Sequence, residues 1–376
     1  MIAITNKEDC CGCSACMQIC PQRCIKLVED EEGFPYPNVN QALCTNCNIC
    51  TRVCPQLSAK KSVSPNGVYA GFNTDDNIRI QSSSGGIFSI IAEYIIKQGG
   101  VIFGATFNDK WEVTHNHTDS ISELEKFRGS KYVQSSINSS YKNAESFLKQ
   151  NRIVLFSGTP CQIAGLHSYL RKSYDNLITV DFICHGVPSP GVFRTYLKET
   201  YKNKKIIKIN FRDKKSGWKN FSFSVGYSNN SVQWPMCISS EIFYKNSYMQ
   251  GFLRNLFLRP SCYKCTFKQG RSGSDITIGD LWGLDIMKPY VDDDKGCSLI
   301  ITNSAKADTL LHRLVHNLHS INLEDAATFN PSISNSVSIP FNRNLFYSFS
   351  KHLSITHSIK LCMIVSKIRK IIKNII

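Results

Sequence analysis

Residues 10–21 read CCGCSACMQICP and residues 44–55 read CTNCNICTRVCP, two copies of the spacing C-x2-C-x2-C-x3-C-P. Three thiolates two residues apart converge on one small inorganic centre from a tight loop. The fourth stands three residues further on, before a proline that limits the following helix, and reaches the neighbouring centre. The spacing predicts two cubane [4Fe-4S] clusters, one held by Cys10, Cys13, Cys16 and Cys54 and the other by Cys44, Cys47, Cys50 and Cys20. Of the ten cysteines in the first 54 residues, Cys11 and Cys24 are left over.

Two other uses of cysteine fit less well. A disulfide scaffold calls for an export signal, and the opening MIAITNKEDC has no basic region followed by an apolar run. Zinc knuckles pair two C-x2-C units across a longer spacer and need neither a third cysteine at the same step nor the proline. The expected compartment is therefore a reducing cytoplasm.

At 376 residues the chain is far longer than two clusters require, so most of the function is expected beyond residue 60. Hydrophobic residues make up 42%, and the longest apolar region, residues 87–107, is interrupted by Glu93, Lys97 and Gln98, which argues against a membrane span. The formal charge of +15 invites a nucleic-acid reading. An oxidised cubane with four thiolates carries about two negative charges, however, so bound cofactors offset much of the excess. No recognition-helix, RNP or zinc-finger pattern accompanies the charge, and no nucleic-acid partner is expected.

The segment QLSAKKSVSPNG, residues 56–67, is polar and proline-containing and reads as a linker. Beyond it the pattern alternates: a strand over GVYAGF, a Ser/Gly loop at residues 81–86, an amphipathic helix over Ile87–Lys97, a strand over VIFGATF and a third strand over residues 111–115. RIVLF, residues 152–156, enters Ser157-Gly158-Thr159-Pro160, where Thr159 suits an N-cap and Pro160 the first helical position, with Cys161 inside the first turn. ITVDFI, residues 178–183, leads into Cys184-His185-Gly186 and a helix near Ser189-Pro190. Both cysteines follow strand ends, the rim at which open α/β sheets bind ligands. The fold class predicted is an α+β ferredoxin-like two-cluster domain (1–57), a linker (58–67) and an α/β domain with mixed sheet (68–330). A basic amphipathic helical segment (331–376) completes the chain.

Cys262 and Cys265, in RPSCYKC, join Cys161 and Cys184 to make a set of four that could surround a third cluster. Separate buried thiols and a zinc half-site are the competing readings.

These segments resemble a known family, the beta subunit of coenzyme F420-reducing hydrogenase and its F420-dependent dehydrogenase relatives. The matching motifs are SSSGGIFS (82–89), GSKYVQSS (129–136), SGTPCQIAGL (157–166), ICHGVPSP (183–190), FRDKKSGW (211–218), RPSCYKC (259–265) and DITIGDLWG (275–283). Seven motifs in one order span residues 68 to about 300. The resemblance implies an iron-sulfur flavoprotein that binds FAD and one cubane cluster in this domain, ligated by Cys161, Cys184, Cys262 and Cys265. The N-terminal module looks like the fused ferredoxin of bacterial members.

The residues suggest how FAD would sit. The Ser/Gly loop Ser83, Ser84, Gly85, Gly86 opens a helix whose amides suit a pyrophosphate, although it is also a plain helix start. Lys131 can balance diphosphate charge, Tyr132 can stack on a ring, and Gln134 and Thr159 are further cofactor-binding candidates; a solvated lysine and a core tyrosine are the bland outcomes. Asp280 at a strand end and His185 beside Cys184 are the catalytic candidates, the histidine as a proton relay. Arg212, Lys214 and Trp218 read as a basic and aromatic patch for an acidic or ring-bearing substrate, or as a solvated loop.

The expected activity is that of an oxidoreductase taking electrons from ferredoxin or another redox protein. They pass through [4Fe-4S] clusters to FAD and on to an organic hydride acceptor, F420 or another metabolite. The alternatives are an electron-transfer subunit with no substrate of its own and a non-redox zinc or polyanion-binding protein. The stretch IKLCMIVSKIRKIIKNII, residues 359–376, mixes isoleucines with lysines and an arginine at helical spacing. It suits an anionic membrane surface or a partner, or packs on its own domain.

Overall fold

A computed structural model describes residues 1–58, 61–229, 237–288 and 291–375, so residues 59–60 of the predicted linker lie outside the described residues. In the N-terminal region the two cysteine copies follow the same backbone path. Gly12 and Asn46 occupy the left-handed region, as do Ser14 and Asn48, which start helices α1 (Ala15–Ile19) and α2 (Ile49–Arg52). Between the copies β1 (Ile25–Glu29) and β2 (Pro35–Val39) form an antiparallel hairpin, with Ile25 opposite Val39.

The larger region is built on a mixed eight-stranded sheet. In chain order its first elements are β3 (Gly67–Gly71), α3 (Asp76–Gln81), α4 (Ile87–Lys97), β4 (Val101–Phe107) and β5 (Val113–Thr118). They are followed by α5 (Ser140–Lys149), β6 (Val154–Ser157), α6 (Pro160–Leu170), β7 (Leu177–Phe182) and α7 (Pro190–Thr200). Strands β8 (Lys204–Asp213), β9 (Ser222–Asn229) and β10 (Cys237–Ile242) make a separate antiparallel meander, which the sequence reading had not separated. Helix α8 (Ser247–Leu253) precedes β11 (Ile276–Asp280), α9 (Leu284–Met287), β12 (Ser298–Thr302), α10 (Ala305–Leu314) and β13 (His319–Ser320). Helices α11 (Leu323–Phe329), α12 (Arg343–Ser350) and α13 (Ile355–Ile375) close the chain.

The sheet order is β13-β3-β12-β11-β7-β6-β4-β5, with β11, β7, β6 and β4 parallel and the flanking strands antiparallel. Central strands of such a sheet are covered on both faces, and Val154, Leu155 and Phe156 are accordingly fully buried. The predicted third strand begins later than expected. Asn108 caps the amides of Lys110 and Glu112, and Trp111 takes a positive φ, so the turn extends to residue 112. The predicted C-terminal helical segment holds α12 and α13, after a short turn at Pro331–Ile333.

The N-terminal region is clamped to the sheet region rather than hung from it. Gly165 in α6 brings that helix against Cys13, where a Cβ would stand 2.7 Å from the Cys13 Cβ. Gly33 in the hairpin turn and Gly191 in α7 meet backbone to backbone. Arg343 pairs with Glu32 through both Nη atoms, and Ser189 Oγ donates to the Glu32 carbonyl. A bidentate pair of half-withdrawn groups fixes orientation better than exposed ion pairs do.

Candidate functional site

The sulfurs of the first copy face those of the last ligand of the second. Burial, with Cys10, Cys54 and Cys50 as neighbours, pushes the Cys16 thiol up to about 12, and burial with Cys10 and Cys50 also raises Cys54. Cys20, Cys44, Cys47 and Cys50 line a second, small cavity together with Cys24, whose Sγ is 3.4 Å from that of Cys20. Cys16 and Cys54 thus both lie near Cys10, and Cys20, Cys44, Cys47 and Cys50 share one cavity, while Cys50 also neighbours Cys16 and Cys54. Clustered thiols are soft donors that give up their protons to a bound metal, so the donor sets fit iron. Among the described residues no group of three or more His, Cys, Asp or Glu closes on a single metal ion. A cubane asks for a wider set, one thiolate on each of four irons.

The third set forms where the sheet rim meets the 259–265 turn. Thr159 caps α6 through a full capping box with Gln162, which places Cys161 in the first turn with its Sγ 3.1 Å from Thr159 Oγ1. Cys184 follows β7 by two residues, Cys262 lies within the 3-10 turn Pro260–Lys264, and Cys265 caps its end. Burial raises the Cys184 thiol well above its usual range, with Cys262, Cys161 and Cys265 adding to it. Lys268 Nζ donates to the carbonyls of Cys184 and Ser332. Cys11 lies between the sets, its thiol neighbouring both Cys13 and Cys161.

A cavity of about 400 Å³ adjoins the third set, sharing Cys184 and His185 as wall residues. On one side is the start of α4: its N-cap is Gly86 in the left-handed region, with no side-chain cap, and the Ser89 amide bonds the Gly86 carbonyl. The loop 128–132 faces it, tied by the Ser130 amide donating to Ser83 Oγ at 2.5 Å. Arg128 and Lys131 both line this part. Lys131 Nζ has the carbonyls of Arg128 and Gly129 at 3.2 Å, and burial holds its ammonium down to about 7. Such a cation gains from an incoming anion.

Deeper in, Arg212 forms a forked pair with Asp280 and reaches the Tyr132 hydroxyl at 3.3 Å. Trp282 lines the cavity and stacks on the buried Trp218, with centroids 4.7 Å apart. His115, also a wall residue, is bonded through Nε2 to the Ser157 carbonyl while its buried Nδ1 has no partner among the described residues. Burial lowers it to about 4, so it is neutral and Nδ1 is an acceptor. His185 Nε2 is 2.7 Å from Asn255 Oδ1, and burial lowers its basicity too.

Ser83, Ser84, Gly86, Lys131, Tyr132, Thr159, His185 and Asp280 therefore gather around one cavity. Two cofactor-binding candidates do not. Gly85 is spent on packing, its amide donating to Ser298 Oγ and its Cα against the Gly71 carbonyl. Gln134 turns to the N-terminal region, donating to the Cys11 carbonyl and accepting from Arg259. The expected patch of Arg212, Lys214 and Trp218 is not a surface either: Trp218 is core, and Lys214 Nζ is held by the carbonyls of Arg79, Ser84 and Lys295. Sequence reasoning missed Arg128, His115, Arg259 and Trp282. Arg128 immediately precedes the GSKY motif, a signal that was there to be used.

Comparison with known proteins finds three matched segments. Residues 9–57 match the 4Fe-4S dicluster domain. Residues 68–142 match the coenzyme F420 hydrogenase/dehydrogenase beta subunit N-terminal domain, and residues 151–326 its C-terminal domain. No curated protein matches the chain. Among solved structures, a chain of the xenon-derivatised F420-reducing [NiFe] hydrogenase complex from Methanosarcina barkeri is similar at 14% identity and a TM-score of 0.48. The alignment covers 83% of this chain and 94% of that one. By its two matched domains and their order, the chain belongs to the coenzyme F420 hydrogenase/dehydrogenase beta subunit family, here joined to a 4Fe-4S dicluster domain.

Proposed function

We propose that the chain is an iron-sulfur flavoprotein oxidoreductase. It would hold two [4Fe-4S] clusters in its N-terminal domain, a third on Cys161, Cys184, Cys262 and Cys265, and FAD in the adjoining cavity. One observation carries the reading: the sulfur sets and the cavity are contiguous, joined by Cys11 on one side of the third set and by Cys184 on the other. Bound clusters supply single electrons and a bound flavin a hydride.

The chain's own residues have distinct tasks in this reading. The α4 amides, Arg128 and Lys131 would receive the diphosphate, and Tyr132 and Trp282 would flank a ring. Arg212 and Asp280, each neutralised by the other, would orient polar ring atoms without adding net charge. His115 Nδ1 would accept from a ring N–H, and His185 would take or give a proton on the third-set side. The electron donor would be ferredoxin or a similar redox protein, and the acceptor F420 or another conjugated metabolite.

No helix among the described residues is long and apolar enough to cross a membrane. Helix α13 nevertheless fits a surface. Ile355, Ile359 and Cys362 pack into the core, whereas Ile364, Ile368, Ile371 and Ile372 form an exposed stripe at i, i+4, i+7 and i+8. Lys360, Lys367, Arg369, Lys370 and Lys373 accompany it and no acidic residue does, so a second copy would be repelled and an anionic lipid surface attracted.

Anaerobic purification with iron, sulfide and flavin quantified together tests the reading. It requires about twelve irons per chain, three cubanes of four, and one FAD. Zinc without acid-labile sulfide would overturn it. Clusters and flavin that titrate without turnover on F420 or candidate acceptors would reduce the chain to an electron-transfer subunit.

A further inference from the structure

Arg259 occupies a place that the reading above does not use. It is 0% exposed, yet no carboxylate pairs with it among the described residues. Its Nε donates to the Cys10 carbonyl at 2.7 Å, Nη1 to Gln134 Oε1 at 3.0 Å, and Nη2 to the Pro35 carbonyl at 3.0 Å and to Cys10 Sγ at 3.5 Å. The Tyr36 ring lies 4.3 Å from the guanidinium carbon. A guanidinium keeps its proton in proteins, so this is a permanent charge removed from water, which is costly unless an anion repays it. The candidate anions in reach are sulfurs: Cys10 and Cys11 on the N-terminal side, Cys262 and Cys161 on the other.

We propose that Arg259 is the fixed counter-charge of an electron junction between the cluster of Cys10, Cys13, Cys16 and Cys54 and the cluster of Cys161, Cys184, Cys262 and Cys265. The inference rests on the cluster reading of the previous subsection. A hydrogen bond and a positive charge at a ligand sulfur favour the more negative, reduced cluster, so Arg259 raises the potential of the set it touches. The contact is with Cys10 Sγ, and the effect is therefore largest on the Cys10 set, smaller on the Cys161 set and least on the set of Cys20, Cys44, Cys47 and Cys50. In such a transfer one electron would leave the Cys10 cluster, oxidising it, and would enter the Cys161 cluster, reducing it. No proton moves, because Arg259 stays charged in both states. The Cys10 set, next to Cys11 and Arg259, is thus the outlet of the N-terminal domain, and the other N-terminal set is its inlet.

The test is an anaerobic redox titration of the holoprotein, followed by electron paramagnetic resonance, with iron quantified in each variant. In Arg259→Gln the Cys10-set signal, identified by its loss in Cys13→Ala, is expected to need a potential at least about 59 mV lower, a tenfold change in its oxidised-to-reduced ratio for one electron. The signal of the Cys20 set should stay in place. Gln134→Glu, nearly isosteric, leaves Arg259 in position but sets a carboxylate against it. It should lower the same signal and serves if Arg259→Gln loses iron. Wild-type iron with unmoved potentials in both variants overturns the inference, as does an equal shift of all three signals. Wild-type protein lacking about twelve irons would instead overturn the cluster reading itself.

Discussion

Gly165→Ala sets two known effects of opposite sign against each other. In an ordinary helix interior, alanine for glycine gains about 1 kcal/mol. Here the added Cβ would stand 2.7 Å from Cys13 Cβ, 2.8 Å from Tyr141 Oη and 3.0 Å from Cys13 Sγ. Neither neighbour can easily give way. Tyr141 is fully buried, with its hydroxyl on the Gln162 carbonyl at 2.7 Å, and Cys13 is a buried member of the first sulfur set. Overpacking against stiff neighbours costs about 1–3 kcal/mol, and the upper end applies when contact is made on two sides. The expected net effect is a loss of about 1–2 kcal/mol, with Gly165→Val worse because its branches add volume in the same gap. Urea denaturation of the anaerobic holoprotein, followed by tryptophan fluorescence and by bleaching of the cluster absorbance, measures it. The reasoning also places the loss at the domain contact, so the cluster signal should bleach earlier than the fluorescence changes. A variant as stable as wild type, with both signals moving together, would refute the close approach of α6 to the Cys13 loop.

Three further outcomes follow from the site. Cys184→Ala should lower iron from about twelve to about eight per chain, whereas Cys11→Ala should leave it unchanged, since only the first belongs to a set of four; metal and sulfide analysis decides. Lys131 is held down to about 7 by burial, and a phosphate binds its protonated form. Flavin affinity should then fall by up to about tenfold per pH unit above 7, a slope absent in Lys131→Met, as read by fluorescence titration. In the flavin-free protein the sign reverses: the unfolded chain binds the extra proton between pH 7 and the usual lysine range, so stability rises with pH across that window. Vesicles containing phosphatidylglycerol should bind the full chain at least tenfold better than phosphatidylcholine vesicles, and Ile368→Glu with Ile371→Glu should remove the difference. Equal binding by both proteins would exclude α13 as the contact.

The parts that were legible in the sequence are those in which local chemistry decides the backbone. The C-x2-C-x2-C-x3-C-P copies, the Thr159-Pro160 and Ser189-Pro190 helix starts and the apolar strands of the parallel centre all announce themselves within a few residues. What the sequence hid depends on long-range partners. Arg212 looked like half of an exposed basic patch because Asp280, its neutralising partner, is 68 residues away. Gln134 sits in a motif whose other members line the cavity, yet alternation along the chain turns it to the opposite side, toward Cys11. Cys11 was left over from the spacing rule because its neighbour, Cys161, is 150 residues distant and enters only when α6 docks.

The same long-range view changes the meaning of the +15 charge. Among the described residues six cations are buried: Arg79, Arg212, Lys214, Arg259, Lys268 and Arg343. Arg79, Arg212 and Arg343 are matched by Asp293, Asp280 and Glu32. Among the described residues no carboxylate makes an ion pair with the other three, and backbone carbonyls take most of their hydrogens. Lys268 stands at Cys184, Arg259 at Cys10, and Lys214 behind the Ser84 carbonyl at the cavity edge. Burying a cation without an anion is a standing cost to the fold. The three that incur it are all next to a sulfur set or the cavity, where the negative cofactors proposed above would repay it. On that proposal, part of the excess charge is internal, directed at the chain's own cofactors rather than at a polyanion outside.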